Sequence, residues 1–173
     1  IWYQGEANAH SIEEATLYRD LLENMVVQWR KDWDSKFPFY AVQLVNFRAV
    51  QPNPVQDTGW ARIRESFRKF HKEVPNVGIA VGIDVGEAKN IHPKNKQAIG
   101  YRLAQQALAK TYKKKIVAGG PIYKSMRKDG NKIVIKFDDI GSGLMEQGGT
   151  PLKWFAVAGE DKQFVEAQAV VVG

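Results

Sequence analysis

Two short stretches of this chain concentrate side chains that can do chemistry. Gln4-Gly5-Glu6-Ala7-Asn8 places an amide, a glycine, a carboxylate and a second amide within five residues. Gly86-Glu87-Ala88-Lys89-Asn90-Ile91-His92-Pro93 brings an imidazole next to a proline. An imidazole can take and return a proton near neutral pH, and a fixed amide donor can stabilise the oxyanion formed when a carbonyl is attacked. Each stretch also has a plain structural reading. The first serves equally as the turn from a strand into a helix, and His92 as a solvated surface histidine. What favours chemistry is the shared setting, because each stretch follows an apolar, strand-like run, and doubly wound sheets gather their ligands at the C-terminal ends of strands. Pro93 reads as the first residue of a helix, where its missing N–H costs nothing, leaving His92 on the loop before it.

The elements that must position these residues follow from hydrophobic spacing. From Ser11 to about Trp33, Leu17/Tyr18, Leu21/Leu22, Met25/Val26 and Trp29 recur at helical period, and Ser11 with Glu14 forms a capping box. Phe37 to Phe47 is nearly continuous in apolar residues, as expected of a strand covered on both faces. Arg48 to Asp57, with Pro52 and Pro54, cannot be regular. A second helix from about Thr58 to His71 carries Trp60, Ile63, Phe67 and Phe70, and Val77 to Val85 gives another buried strand. After His92 a third helix aligns Ile99, Leu103 and Ala107. With Ile1-Trp2-Tyr3 as the end of a first strand, the alternation predicts parallel strands joined by crossover helices.

The pattern changes after Tyr112. Lys113 to Lys115 and Ala118-Gly119-Gly120-Pro121 close the third helix and set a boundary, so that 1–118 is one domain and 119–173 another. Beyond it, Lys132 to Phe137, Leu152 to Ala158 and Phe164 to Val172 are strand candidates, with Asp129-Gly130 as a tight turn. About 55 residues of this kind are expected to form part of a β-sandwich.

Composition narrows the function. The chain has 173 residues with 44% apolar and 25% charged, and no apolar run near the roughly 20 residues that cross a bilayer. It has no cysteine and three histidines, which removes thiolate zinc sites and Cys nucleophiles. A net charge of +6 arises from 25 basic and 19 acidic residues spread along the chain, an ordinary mixed surface without a traceable nucleic-acid face. No cofactor, metal, nucleic acid or membrane is expected. The opening on Ile1-Trp2-Tyr3 and the close on Ala-Val-Val-Val-Gly read as cuts in a longer protein, whose N-terminal part would be the chief partner.

Trp2-Tyr3-Gln4-Gly5-Glu6, Tyr40-x-Val42-Gln43-Leu44, Trp60-x-x-x-Arg64-Glu65 and Gly86-Glu87-Ala88-x-Asn90-Ile91-His92-Pro93-Lys94-Asn95-Lys96-Gln97 closely resemble the sialate O-acetylesterase family of SGNH hydrolases. Gly143-Leu144 and Pro151-Leu152-Lys153-x-Phe155 look like the family's second domain. The resemblance implies a three-layer, flavodoxin-like α/β fold with a parallel sheet, of which this would be the C-terminal part, followed by an incomplete all-β segment. It implies a secreted or periplasmic enzyme that removes acetyl groups from sugar hydroxyls, sialic acid 9-O-acetyl esters foremost, with acetylxylan or another polysaccharide as alternative. A non-catalytic carbohydrate-binding module is the reading from another class.

Carried over by residue, His92 matches the family's catalytic histidine, and Gln4-Gly5-Glu6 the polar side of the site. Relatives place an Asp shortly before the His, but Lys89 and Asn90 stand here, so Glu6 becomes the expected acid, with Glu87 and Asp84 behind it. Ala7 departs from the family's usual Ser. Trp2, Asn8 and Arg64 are the expected substrate contacts. The nucleophilic Ser is expected upstream of Ile1, since Ser11 is a cap, Ser35 and Ser66 lie in a loop and on a helix, Ser125 has no nucleophile-turn context, and Gly141-Ser142-Gly143 precedes no helix. The 173 residues alone are therefore expected to be inactive. His10 and His71 read as a loop residue and a helix-surface residue without metal-ligand spacing.

Overall fold

The computed structural model describes residues 1–51, 57–146, 149 and 151–172. Pro52 and Pro54 lie outside these. The chain divides into two compact units, one of Ile1–Ala49 and Asp57–Gly119, the other of Val50–Gln56 and Gly120–Gly173.

In the first unit, helix α1 (Ile12–Asp32) begins where extended Ser11 turns its Oγ to accept the Glu14 N–H at 3.0 Å. Glu13 and Glu14 in the first turn and Arg30 and Lys31 in the last complement the helix dipole. The helix buries Ala15, Tyr18, Leu22 and Val26. Leu17 and Leu21, expected beside them, are 51% and 46% exposed, because one residue back along a helix is about 100° around it and so off the narrow buried stripe.

Strands β1 (Phe39–Gln43) and β2 (Val77–Val81) pair in parallel from Phe39↔Val77 to Gln43↔Val81. Trp2 adds a parallel bridge to Ala41, donating its N–H to the Tyr40 carbonyl at 2.7 Å and accepting from the Val42 N–H at 2.8 Å. Three parallel segments thus lie side by side in chain order. Phe39, Ala41, Val77 and Ile79 pack against α1 and against Ile63, Phe67 and Phe70 of α2 (Gly59–Glu73). Val42, Val45 and Ala80 turn the other way, onto Ile99 and Leu103 of α3 (Lys96–Lys110). Both faces are covered, which is why these strands are almost continuously apolar. Burying Phe67 and Phe70 fully contributes about 1.5–3 kcal/mol each.

Helix α3 starts later than expected. Asn95 is its cap, accepting the Ala98 N–H at 3.1 Å, so Pro93 lies ahead of the helix and not at its first position. Pro93 is instead fully buried and anchors the loop that carries His92.

The strands described in the second unit pair antiparallel. Strands β3 (Ile122–Asp129) and β4 (Lys132–Asp138) form an antiparallel hairpin around Gly130, whose φ of +60° suits glycine. A second antiparallel pair joins β5 (Ala156–Ala158) to β6 (Phe164–Glu166). The expected strands at Leu152 and Phe164 are shortened to these cores, with Leu152 retained only as a bridge to Ala169. None of the described residues of this unit after Gly119 is buried.

Candidate active site

Three polar loops leave the C-terminal edges of the three parallel segments: Gln4 to Asn8 after Trp2, Asn46 to Arg48 after β1, and Gly82 to Pro93 after β2. The last two are stitched together. Asn46 Oδ1 accepts the Gly86 N–H at 2.8 Å, the Arg48 N–H donates to the Ala88 carbonyl at 3.1 Å, and Phe47 bridges Glu87 in parallel. Gly86 is required by this approach, since a Cβ there would collide with the Asn46 carbonyl.

The first loop is held from within. The Tyr18 hydroxyl accepts the Trp2 indole N–H at 3.0 Å and lies 2.8 Å from the Gln4 carbonyl and 2.6 Å from Gln4 Oε1, to which it donates. The carbonyl end of the Gln4 amide is therefore occupied, and its NH2 end has no partner among the described residues. Gly5 is buried with φ +137°, and a Cβ there would sit 3.0 Å from Ile63 Cδ1 and 3.1 Å from the Tyr18 ring. Only glycine lets the chain pass this close to α1 and α2. Burial, and to a smaller degree the negative charge of Glu6, push the Tyr18 hydroxyl up to about 12. Glu6 is half-buried, and its carboxylate makes no hydrogen bond or ion pair with any described residue.

The His92 loop is held differently. Its backbone N–H donates to Asn90 Oδ1 at 2.9 Å, and buried Pro93 fixes the next residue. Glu87 accepts the Lys94 N–H at 3.3 Å and pairs with Lys94 Nζ at 3.1 Å. Asp84 takes a two-point pair from Arg102, and the Arg102 hydrogen bond holds its carboxyl below the ordinary range. The His92 ring is exposed and, among the described residues, contacts no carboxylate. Asp84 and Glu87 are thus engaged elsewhere, and Glu6 is the free carboxylate of the three.

The remaining expected contacts fare unequally. Trp2 is committed to packing, edge-on to Trp29 at 6.1 Å and beside Phe39, with its N–H on Tyr18. Asn8 is half-buried, its N–H on the Gly5 carbonyl at 3.1 Å. Arg64 stands on α2, its carbonyl accepting the Gln43 side-chain amide at 2.9 Å. His71 is not simply a surface residue, since its Nε2 lies 2.7 Å from Lys110 Nζ. Spacing did not disclose the role of Tyr18, because a tyrosine in a helical stripe reads as core. The Arg102–Asp84 pair spans 18 residues and a change of element, so no local signal marks it.

A family model described as a carbohydrate esterase, sialic acid-specific acetylesterase, matches residues 1–109. The chain belongs to this family. Sialate O-acetylesterase of Mus musculus is 28% identical over 141 residues, and that of Homo sapiens 29% over 140, the matches covering 73% and 70% of this chain. Each match covers 26% of the relative, so the chain spans about a quarter of the length of those enzymes. Among solved structures, one described as a novel carbohydrate acetylesterase from Xanthomonas citri aligns with a TM-score of 0.90 at 40% identity, over 99% of this chain and 39% of that one.

Proposed function

We propose that this acetylesterase-family chain supplies the histidine and the oxyanion donor of a carbohydrate O-acetylesterase of SGNH type, whose serine lies outside these 173 residues. The preferred substrate class is O-acetylated sialic acid, the 9-O-acetyl ester foremost. The observation that carries the reading is the pair of loops at one sheet edge: Gln4 anchored through Oε1, its NH2 without a partner among the described residues, and His92 with an exposed ring.

In the proposed mechanism the His92 imidazole takes the serine proton as the serine oxygen attacks the acetyl carbonyl. The carbonyl oxygen becomes an oxyanion, which Gln4 NH2 stabilises by about 3 kcal/mol. Collapse expels the sugar oxygen, which recovers the proton from the imidazolium. Water then repeats the cycle on the acyl-serine, releasing acetate. Glu6 is the proposed orienting acid, because Asp84 and Glu87 already hold Arg102 and Lys94. Glu6 and His92 do not touch in this structure, so a bridging water or a turn of the ring is required, as is common before substrate binds. Asn8 remains a proposed substrate contact. Trp2 supports the block through Tyr18 and is not offered as a stacking surface.

The test is acetate release from 9-O-acetylated N-acetylneuraminic acid by the complete protein. Glu6→Gln should lower kcat about 100-fold or more. A normal rate in that variant, with loss in Glu87→Gln, would transfer the role to Glu87. The 173 residues alone should leave an activated acetyl ester intact. Turnover that disappears with Ser142→Ala would place the nucleophile in the β unit.

A further inference from the structure

The eight arginines of the chain differ in what they hold. Five sit on carboxylates, Arg30 on backbone carbonyls, and Arg48 over the Phe47 ring. Arg64 is the exception. It is half-buried, and its guanidinium makes no hydrogen bond, ion pair or ring contact with any described residue. The residues outside that description are Pro, Asn, Val, Gln, Gly and Thr, so no Asp or Glu of this chain remains to pair with it. A guanidinium withdrawn from water without a carboxylate is a standing cost, and burial alone lowers its proton affinity.

Its position tells what the cost is for. Arg64 lies one helical turn after Trp60, on the same face of α2, and the Trp60 ring packs on Phe47 of the loop leaving β1 at 5.5 Å. Its neighbour Ile63 abuts Gly5, and its carbonyl is tied to Gln43, the last residue of β1. The residue is thus fixed by its backbone at the sheet edge that carries Gln4 and His92, while five N–H donors stay unused.

We propose that Arg64 receives a carboxylate of the substrate as a two-point pair, so that the site selects acetylated sugars bearing an acid over neutral ones. This rests on the esterase reading above and deepens it. Arginine suits the role because its planar fork matches a carboxylate, whereas lysine offers a point charge.

The experiment compares, in the complete protein, acetate release from 9-O-acetyl-N-acetylneuraminic acid and from its C1 carboxamide, with p-nitrophenyl acetate as a control. The wild type should favour the acid by about 10-fold or more in kcat/KM, mainly through KM, and added salt should narrow the gap. Arg64→Gln should bring the two sugars within about 2-fold, and Arg64→Lys should fall between. Equal rates on acid and carboxamide in the wild type would overturn the proposal without any variant having to fold. So would an Arg64→Gln protein that loses both sugars and the control alike, which would make Arg64 structural. No acetate from any of the three by the wild type would remove the esterase reading itself, and this inference with it.

Discussion

The Gln4 loop and the His92 loop meet the same sheet edge but are held in opposite ways. Gln4, Gly5 and Glu6 rest on the core, with the Tyr18 hydroxyl beneath them and Ile63 against Gly5. His92 is held along the chain, by Asn90, buried Pro93 and the pairs Glu87–Lys94 and Asp84–Arg102, while its ring remains exposed. The difference matches the role proposed for each group. An oxyanion donor acts by already being in place, so its amide must not move. A base must reach the serine and then the leaving oxygen, so its backbone is fixed and its ring is free.

Removing the proposed base should therefore cost most. His92→Ala in the complete protein should lower acetylesterase kcat by about 10,000-fold with folding intact, since His92 is the imidazole at this sheet edge. Next comes the fixed member. Gln4→Ala should lower kcat by roughly 100- to 1000-fold with little change in KM, the signature of a contact made only in the transition state. Tyr18→Phe probes the anchor rather than the donor. It leaves the Trp2 N–H and both Gln4 oxygens unmatched, and should cost about 1–3 kcal/mol in urea unfolding and roughly 10-fold in kcat. A Tyr18→Phe loss as large as that of Gln4→Ala would mean the two act as one unit.

The smallest effects are in pH, and they should separate the loops. Tyr18 is raised from 10.0 to about 12, so its contribution to stability is present below pH 10 and is lost as pH rises through about 12. Asp84 is lowered from 3.8, so its contribution is present above that value and is lost as pH falls through the lowered one. The stability gap between wild type and Tyr18→Phe should accordingly close in alkali, and that between wild type and Arg102→Met should close in acid. Denaturation midpoints across pH read both, and gaps that stay constant would contradict the assignment.

Much of this arrangement could be read from the chain itself. Ser11 with Glu14 marked the start of α1, and the unbroken apolar runs around Phe39 and Val77 marked strands covered on both faces. Strand β3 was not anticipated. Ile122 to Asp129 is nearly all exposed, so it is a strand through pairing with β4 and not through burial, and periodicity has nothing to detect. The start of α3 was misplaced because Pro93 carries a helix-start signal, while Asn95 supplies the cap. Within the candidate site, Gln4, Glu6 and His92 could be named from the chain, but the contacts that hold their loops could not. Tyr18 reaches Gln4 across 14 residues, and Arg102 reaches Asp84 across 18, contacts created by the folding of one element onto another.

Imidazole rescue of His92→Ala tests the central claim most directly. The exposed position of the His92 ring leaves the resulting gap open to small molecules in solvent. With the complete protein and an O-acetylated sugar, acetate release by the variant should be near background and should rise in proportion to added neutral imidazole. A folded variant that turns over at close to the wild-type rate without imidazole would contradict the assignment of His92 as the base.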